Sequence, residues 1–137
     1  MVGEYKVSAA VQQVYTQLKA AAAVQTGTEF LAADHQQTIA DQIAINQVPA
    51  PPFQETQRAR YYLQRLQEAG LTDVRQDNEG NVFGVYKGAG IGPKVFVSAH
   101  LDTVFAEGTD VTVHEKAGRL YAPGIADNAR GLAAILS

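Results

Sequence analysis

His100 and Asp102, in the stretch SAHLDTVF, are a histidine and a carboxylate two residues apart at the end of an apolar run. Side chains alternate between the two faces of a β-strand, so a strand here would point both groups to the same side. A histidine that binds a metal commonly donates its second ring N–H to a carboxylate, which fixes the tautomer and orients the ring. The spacing therefore predicts a metal-binding histidine with its orienting carboxylate. The alternative is structural: His100 ends a strand and Asp102 begins the loop that follows.

A second candidate carboxylate, Asp127, lies in the stretch PGIADNARG, where a helix is predicted to begin. The two oxygens of a carboxylate can each bind one ion of a metal pair that are about 3.5–4 Å apart. Gly124 would allow the backbone to approach such a site closely. Asp is also a favoured residue for capping a helix N-terminus, and that structural role is the alternative for Asp127.

The elements that must position these groups form an α/β pattern. The strand predicted over Lys94–Leu101 is the most apolar and is expected near the centre of the sheet. His100 and Asp102 then lie at its carboxyl end, the edge at which open α/β sheets bind ligands. The pattern predicts helices over residues 7–23, Thr28–Asn46 (with Thr28 as N-cap) and Glu55–Ala69 (ended by Gly70), strands over Thr72–Gln76, Asn81–Lys87, Lys94–Leu101, Asp110–Glu115 and Arg119–Ala122, and a last helix from Ala126.

Composition restricts both the chemistry and the partners. The chain has no cysteine, so any metal must be held by His, Asp or Glu. The net charge of −3 comes without a basic patch, so no nucleic-acid partner is expected. No stretch is long and apolar enough to cross a membrane, and the N-terminus lacks the apolar core of a signal peptide. We therefore expect a cytoplasmic protein without a membrane partner.

Taken together, the two stretches resemble a known family. An H-x-D after an apolar strand, then a hairpin, then G-x-A-D-N-x-x-G opening a helix, is similar to the co-catalytic di-zinc exopeptidases and deacylases: aminoacylase, glutamate carboxypeptidase, peptidase T and succinyl-diaminopimelate desuccinylase. The stretches QVPAPPFQETQRARYYLQRLQEAGLTDV and DNEGNVFGVYKG are also similar to that family's first helices and strands. The resemblance runs from about residue 30 to Ser137, and it implies a three-layer α/β domain with helices packed on a mixed β-sheet.

The resemblance also implies roles for the three candidate residues. His100 would be a ligand of one metal, Asp102 would be the catalytic-site carboxylate that orients His100, and Asp127 would bridge two metals. The family often has a cis peptide after the bridging Asp, which makes Asp127–Asn128 the candidate here. The implied cofactors are two divalent ions, zinc or else cobalt or manganese. The implied substrate is a peptide or an N-acyl amino acid, cleaved from an amino or a carboxyl end.

Not all of the family's site is present. Its Glu-Glu pair, a further acidic ligand and a late histidine would come after Ser137, and so would its lid or dimerisation domain. We therefore predict a helical extension over residues 1–27 and the truncated N-terminal part of a catalytic domain over residues 28–137, inactive alone. One alternative is a non-enzymatic remnant or interaction module that self-associates into a homo-oligomer through an incomplete sheet. Another is a binding protein with a structural metal.

Other residues of chemical interest have simpler interpretations. Adjacent residues of a strand face opposite ways, so His114 and Glu115 make a poor metal pair and are predicted to lie on the surface. His35 is predicted on a solvated helix face. Arg130 has two open roles, contact with a substrate carboxylate or a salt bridge to a neighbouring acid.

Overall fold

The computed structural model describes residues 6–137, which divide into two compact units, one within the first 35 residues and one over residues 36–137. The sequence placed the corresponding boundary between residues 27 and 28. The elements in chain order are α1 (Ala9–Ala20), α2 (Ala22–Ala33), α3 (His35–Asn46), α4 (Thr56–Glu68), β1 (Thr72–Gln76), β2 (Val82–Val85), β3 (His114–Lys116), β4 (Arg119–Tyr121) and α5 (Ala129–Leu136).

The boundaries of α1 and α2, the helices of the first unit, differ from the predicted ones. Ser8 caps α1 by accepting a hydrogen bond from the Val11 N–H at 3.3 Å. Ala21 is extended, with φ −68 and ψ 126, and separates α1 from α2. Thr28 lies inside α2 and donates its hydroxyl to the Val24 carbonyl at 2.8 Å, so the predicted N-cap at Thr28 is wrong. The predicted break between residues 23 and 28 is also wrong, because α2 continues through it. Neither helix buries a residue.

The core of the second unit is formed by α3, α4 and α5. Its buried members are Ile45 from α3, Tyr62 and Leu66 from α4, and Ala129, Leu132 and Ala133 from α5. Tyr62 also donates its hydroxyl to the Leu132 carbonyl at 2.9 Å, which satisfies a polar group inside this core. The packing places the beginning of α5 against α3 and α4.

Gly70 ends α4 as predicted. Its φ of +78 is the left-handed conformation that glycine adopts without steric cost. Its N–H donates to the Gln67 carbonyl and the Leu71 N–H to the Leu66 carbonyl, a pair of bonds that together form a Schellman motif.

Two antiparallel hairpins follow. In the first, β1 pairs with β2, and the Asp77 carboxylate accepts hydrogen bonds from the Glu79 and Asn81 N–H groups in the turn between the two strands. In the second, β3 pairs with β4 around Ala117 and Gly118, whose φ values of 52 and 69 are typical of a tight hairpin turn. The protein is therefore broadly α/β, as expected.

The predicted central strand is not formed. Residues 94–101 have no regular secondary structure, and Val95, Phe96 and Val97 are 82, 79 and 67% exposed. The described residues form two separate two-stranded sheets and no mixed sheet. The physical reason is that a strand requires a neighbour for its N–H and C=O groups, and no segment between residues 6 and 137 pairs with this one.

No helix within residues 6–137 has the length and apolar character needed to cross a membrane.

Candidate metal-binding site

The segment that carries His100 and Asp102 is held by hydrogen bonds rather than by a sheet. The Thr103 N–H and the Thr103 hydroxyl both donate to the Ala50 carbonyl, at 2.8 and 3.0 Å. Thr103 is 4% exposed, so these bonds are shielded from water. Arg58 donates from Nη1 to the Leu101 carbonyl at 2.9 Å. The backbone on each side of Asp102 is therefore anchored to α4 and to the loop between α3 and α4.

Asp127 is positioned by the turn that leads into α5. Gly124 has a φ of +84, and a Cβ there would lie 3.1 Å from Thr103 Cγ2, so this turn packs directly on the segment that follows Asp102. Gln42 Nε2 donates to the Ile125 carbonyl at 2.7 Å and ties the turn to α3. The peptide between Asp127 and Asn128 is cis, which confirms that expectation.

Helix capping is not the role of Asp127. The residue at the N-cap of α5 is Asn128, and it makes no side-chain capping bond. The carboxylate of Asp127 instead contacts the ring of His100, and its side chain is 87% exposed. The capping alternative from the sequence is therefore wrong for this residue.

The structure brings the three candidate residues together around one imidazole ring. His100 Nε2 lies 2.8 Å from Asp127 Oδ1. On the opposite side of the ring, His100 Nδ1 lies 3.1 Å from Asp102 Oδ1 and 3.0 Å from the Asp102 carbonyl oxygen. The side chains of His100 and Asp102 are about half exposed, at 47 and 49%. Asp102 thus contacts Nδ1, the ring nitrogen that Asp127 does not contact.

These contacts favour the protonated imidazole. Carboxylate and carbonyl oxygens only accept hydrogen bonds, so each ring nitrogen of His100 is satisfied when it carries a proton. Burial lowers the pKa of His100, but the hydrogen bond to Asp127, the backbone bond to Asp102 and the charges of both carboxylates outweigh it, and the pKa is raised from 6.5. A metal ion at Nε2 therefore has to displace a proton.

The pair formed by His100 Nε2 and Asp127 fits two ligands of one zinc ion. Nitrogen and oxygen ligands about 2.0–2.1 Å from a tetrahedral zinc lie about 3.3 Å from each other. The observed 2.8 Å is close to that spacing, and the exposed carboxylate of Asp127 has room to rotate. Asp102 is on the far side of the ring, the position of a carboxylate that orients a metal-bound histidine.

Two ligands are fewer than a protein zinc site uses. Structural sites have four protein ligands and catalytic sites commonly have three. Over residues 6–137 there is no group of three or more His, Cys, Asp or Glu side chains arranged to hold a metal ion.

His114 and Glu115 are both exposed on β3, and His35 is exposed on α3, as predicted. Arg130 donates to the Gln42 side-chain oxygen at 3.4 Å and forms no ion pair with an acid among the described residues.

Sequence reasoning missed Arg58, whose side chain is fully buried beside the site. Arg58, Tyr62 and Leu66 follow at intervals of four residues, so Arg58 continues the buried stripe of α4. A charged residue in register with an apolar stripe was the signal that would have revealed it.

Comparison of the chain with protein-family models and with curated proteins found no match to either.

Proposed function

We propose that residues 36–137 supply part of the metal centre of a zinc-dependent hydrolase of peptide or N-acyl amide bonds, of the exopeptidase or deacylase type. The observation that carries the proposal is the 2.8 Å approach of His100 Nε2 to Asp127 Oδ1, with Asp102 on the other ring nitrogen. The sequence resemblance supports it, and with it the proposal that this unit belongs to a three-layer zinc-exopeptidase domain.

Each residue has a distinct part in this proposal. His100 would bind one metal through Nε2 in its neutral form, with Asp102 accepting a hydrogen bond from Nδ1–H, so that the ring proton stays on Nδ1 and Nε2 is free to bind. Asp127 would be the carboxylate shared by the two metals, as the resemblance implies. Two bound divalent ions supply Lewis-acid polarisation of the scissile carbonyl and a more acidic water. The general base and the remaining ligands are then contributed from outside residues 6–137.

Metal binding by this chain alone is expected to be weak, because His100 and Asp127 are only two of the ligands that a zinc site requires. Calorimetry with zinc should detect a low-affinity site that is lost in His100→Ala. The matched control is His114→Ala, since His114 is exposed on β3 and has no part in the site. Tight zinc binding by the 137 residues, or equal losses in both variants, would contradict this assignment.

Catalysis is tested in a polypeptide that carries the remaining ligands. Loaded with zinc, it should hydrolyse at least one member of a panel of short peptides and N-acyl amino acids, and a chelator should remove that activity. Asp127→Asn should reduce turnover far more than Asp110→Asn, because Asp110 bonds to Thr112 within its own loop. Activity that survives chelation would refute the metal-dependent mechanism.

A second candidate function, an interaction module that self-associates, is favoured by the exposed apolar run Val95–Val97. Three consecutive apolar side chains that are 67–82% exposed, on a backbone without a strand partner, favour pairing with another chain. Sedimentation velocity distinguishes the two candidates. Phe96→Glu should dissociate such an assembly, whereas Val104→Glu, at a site that is 85% exposed, should not. A monomer at all concentrations would eliminate this candidate.

A further inference from the structure

Arg58 is a fully buried arginine whose guanidinium donates to three backbone carbonyls. Nε donates to Val48 at 2.8 Å, Nη1 to Leu101 at 2.9 Å and Nη2 to Asn46 at 3.3 Å. Its exposure is 0%. The planar fork of donors therefore joins three segments: the end of α3, the loop that follows it, and the backbone between His100 and Asp102.

Burial of this charge is costly, and a simple ion pair does not offset the cost. Arginine is almost never fully buried unless it is paired, because its charge loses hydration. Within the part of the chain that the structure describes, Arg58 is hydrogen-bonded to carbonyl oxygens and forms no ion pair. Burial lowers the pKa of Arg58, and the negative charge of Asp102 opposes that shift. A buried arginine that donates only to backbone oxygens indicates that its role is to hold those backbone segments in place.

The segment held by Arg58 is the one that carries the candidate site. Leu101 lies between His100 and Asp102, so fixing its carbonyl fixes the peptide plane that joins Leu101 to Asp102. Thr103 then bonds twice to Ala50 on the other side of Asp102. Because residues 94–101 are not part of a sheet, these side-chain and backbone bonds replace the ladder that would otherwise hold the segment.

We infer that Arg58 is a positioning residue: by holding the Leu101 carbonyl against the end of α3, it sets the placement of His100 and Asp102 with respect to Asp127. Arg58 itself does not contact the candidate ligand atoms, since its donors bond to the Val48, Leu101 and Asn46 carbonyls. That a metal occupies the site rests on the proposed function, whereas the positioning of the segment does not. The two statements can therefore fail separately.

Amide hydrogen exchange followed by NMR tests the positioning without any metal. The probe is the Thr103 N–H, which donates to Ala50, and the reference is the Leu132 N–H in α5. In Arg58→Met we expect Thr103 to exchange at least about tenfold faster relative to Leu132, because the local segment opens without global unfolding. An unchanged ratio of the two rates would overturn the inference, since loss of overall stability accelerates both amides together.

The matched control is Arg65→Met, on the same helix and two turns further along. Arg65 pairs with Asp41 at 2.7 Å and with Glu68 at 3.0 Å, and these contacts lie away from residues 100–103. We expect this variant to leave the ratio of the two exchange rates within about twofold of the wild type. If Arg58→Met does not fold, Arg58→Lys provides the same test, because a lysine keeps the charge but not the fork that serves three carbonyls.

Cobalt(II) titration of the folded variants supplies the second readout. Changes beside metal ligands typically cost about 10–100-fold in affinity, so we expect a loss in that range for Arg58→Met or Arg58→Lys and none for Arg65→Met. Wild-type affinity and spectrum in the folded Arg58 variants would overturn the inference. If the wild type binds no cobalt(II) while the Thr103 exchange ratio responds as expected, the positioning role stands and the proposed metal site falls.

Discussion

Replacement of Gly124 by Ala tests the packing that places the Asp127 turn against the Asp102 segment. Gly124 has a φ of +84, a conformation that costs an L-residue about 1–2 kcal/mol. The new Cβ would lie 3.1 Å from Thr103 Cγ2 and 3.3 Å from Asn46 Oδ1. Both neighbours are buried, so they cannot simply move into solvent.

The magnitude follows from these two contributions. Carbon atoms pack best at about 3.5–4.0 Å, so the Cβ contact with Thr103 is too short by several tenths of an ångström. Overpacking of this kind typically costs about 1–3 kcal/mol in addition to the backbone term. We therefore expect Gly124→Ala to lower the free energy of unfolding by about 2–5 kcal/mol.

Gly108→Ala is the matched control. Gly108 has a nearly equal φ of +80, but a Cβ there would meet no atom within 4 Å. Only the backbone cost of about 1–2 kcal/mol should remain. Urea unfolding monitored by far-UV circular dichroism measures both variants, and the difference between them isolates the contact with Thr103 and Asn46. Equal destabilisation would refute the close packing of the two site-bearing segments.

Four further predictions concern the site and the core. Asp127→Asn should bring the pKa of His100 down in an NMR titration, since the hydrogen bond from His100 to Asp127 raises it, whereas Asp110→Asn should leave it unchanged. Because the pKa of folded His100 is raised above 6.5, its stabilising contribution is complete below about pH 6.5. That contribution is lost as the pH rises through the pKa of His100 in the folded protein. The difference in free energy of unfolding between the wild type and Asp127→Asn, measured by urea unfolding, should therefore shrink across that range. Tyr62→Phe should lower the free energy of unfolding by about 1–3 kcal/mol in the same assay, because it leaves the buried Leu132 carbonyl without its side-chain donor. An unchanged free energy of unfolding would show that this bond contributes nothing. Leu66→Ala should lower the free energy of unfolding by about 2–5 kcal/mol, because this side chain is only 3% exposed and its removal leaves a cavity. A loss below about 1 kcal/mol would mean that the surrounding core collapses to fill the cavity.

Local signals were sufficient for several elements. Gly70 ends α4 as predicted, and the turns at Asp77–Gly80 and Ala117–Gly118 lie between segments predicted as strands, because each depends on the conformational preferences of adjacent residues. The strand β1 was predicted with its observed bounds, Thr72–Gln76. His100, Asp102 and Asp127 were selected by residue type and spacing, and the structure brings them around one ring. Their roles as metal ligands and orienting carboxylate stay predictions.

What the tertiary structure decided depends on partners far away in the chain. The apolar run at residues 94–101 has strand-like composition, yet it is not a strand, since strand formation requires a neighbouring backbone and none is provided between residues 6 and 137. Asp127 satisfied the sequence preference for an N-cap, but its carboxylate contacts His100, 27 residues away. The buried state of Arg58 depends on three carbonyls contributed by residues 10–43 positions distant. Residue types thus determined which groups are available for chemistry, and the folded packing alone decided which of them meet, because desolvation and hydrogen bonding act between neighbours in space.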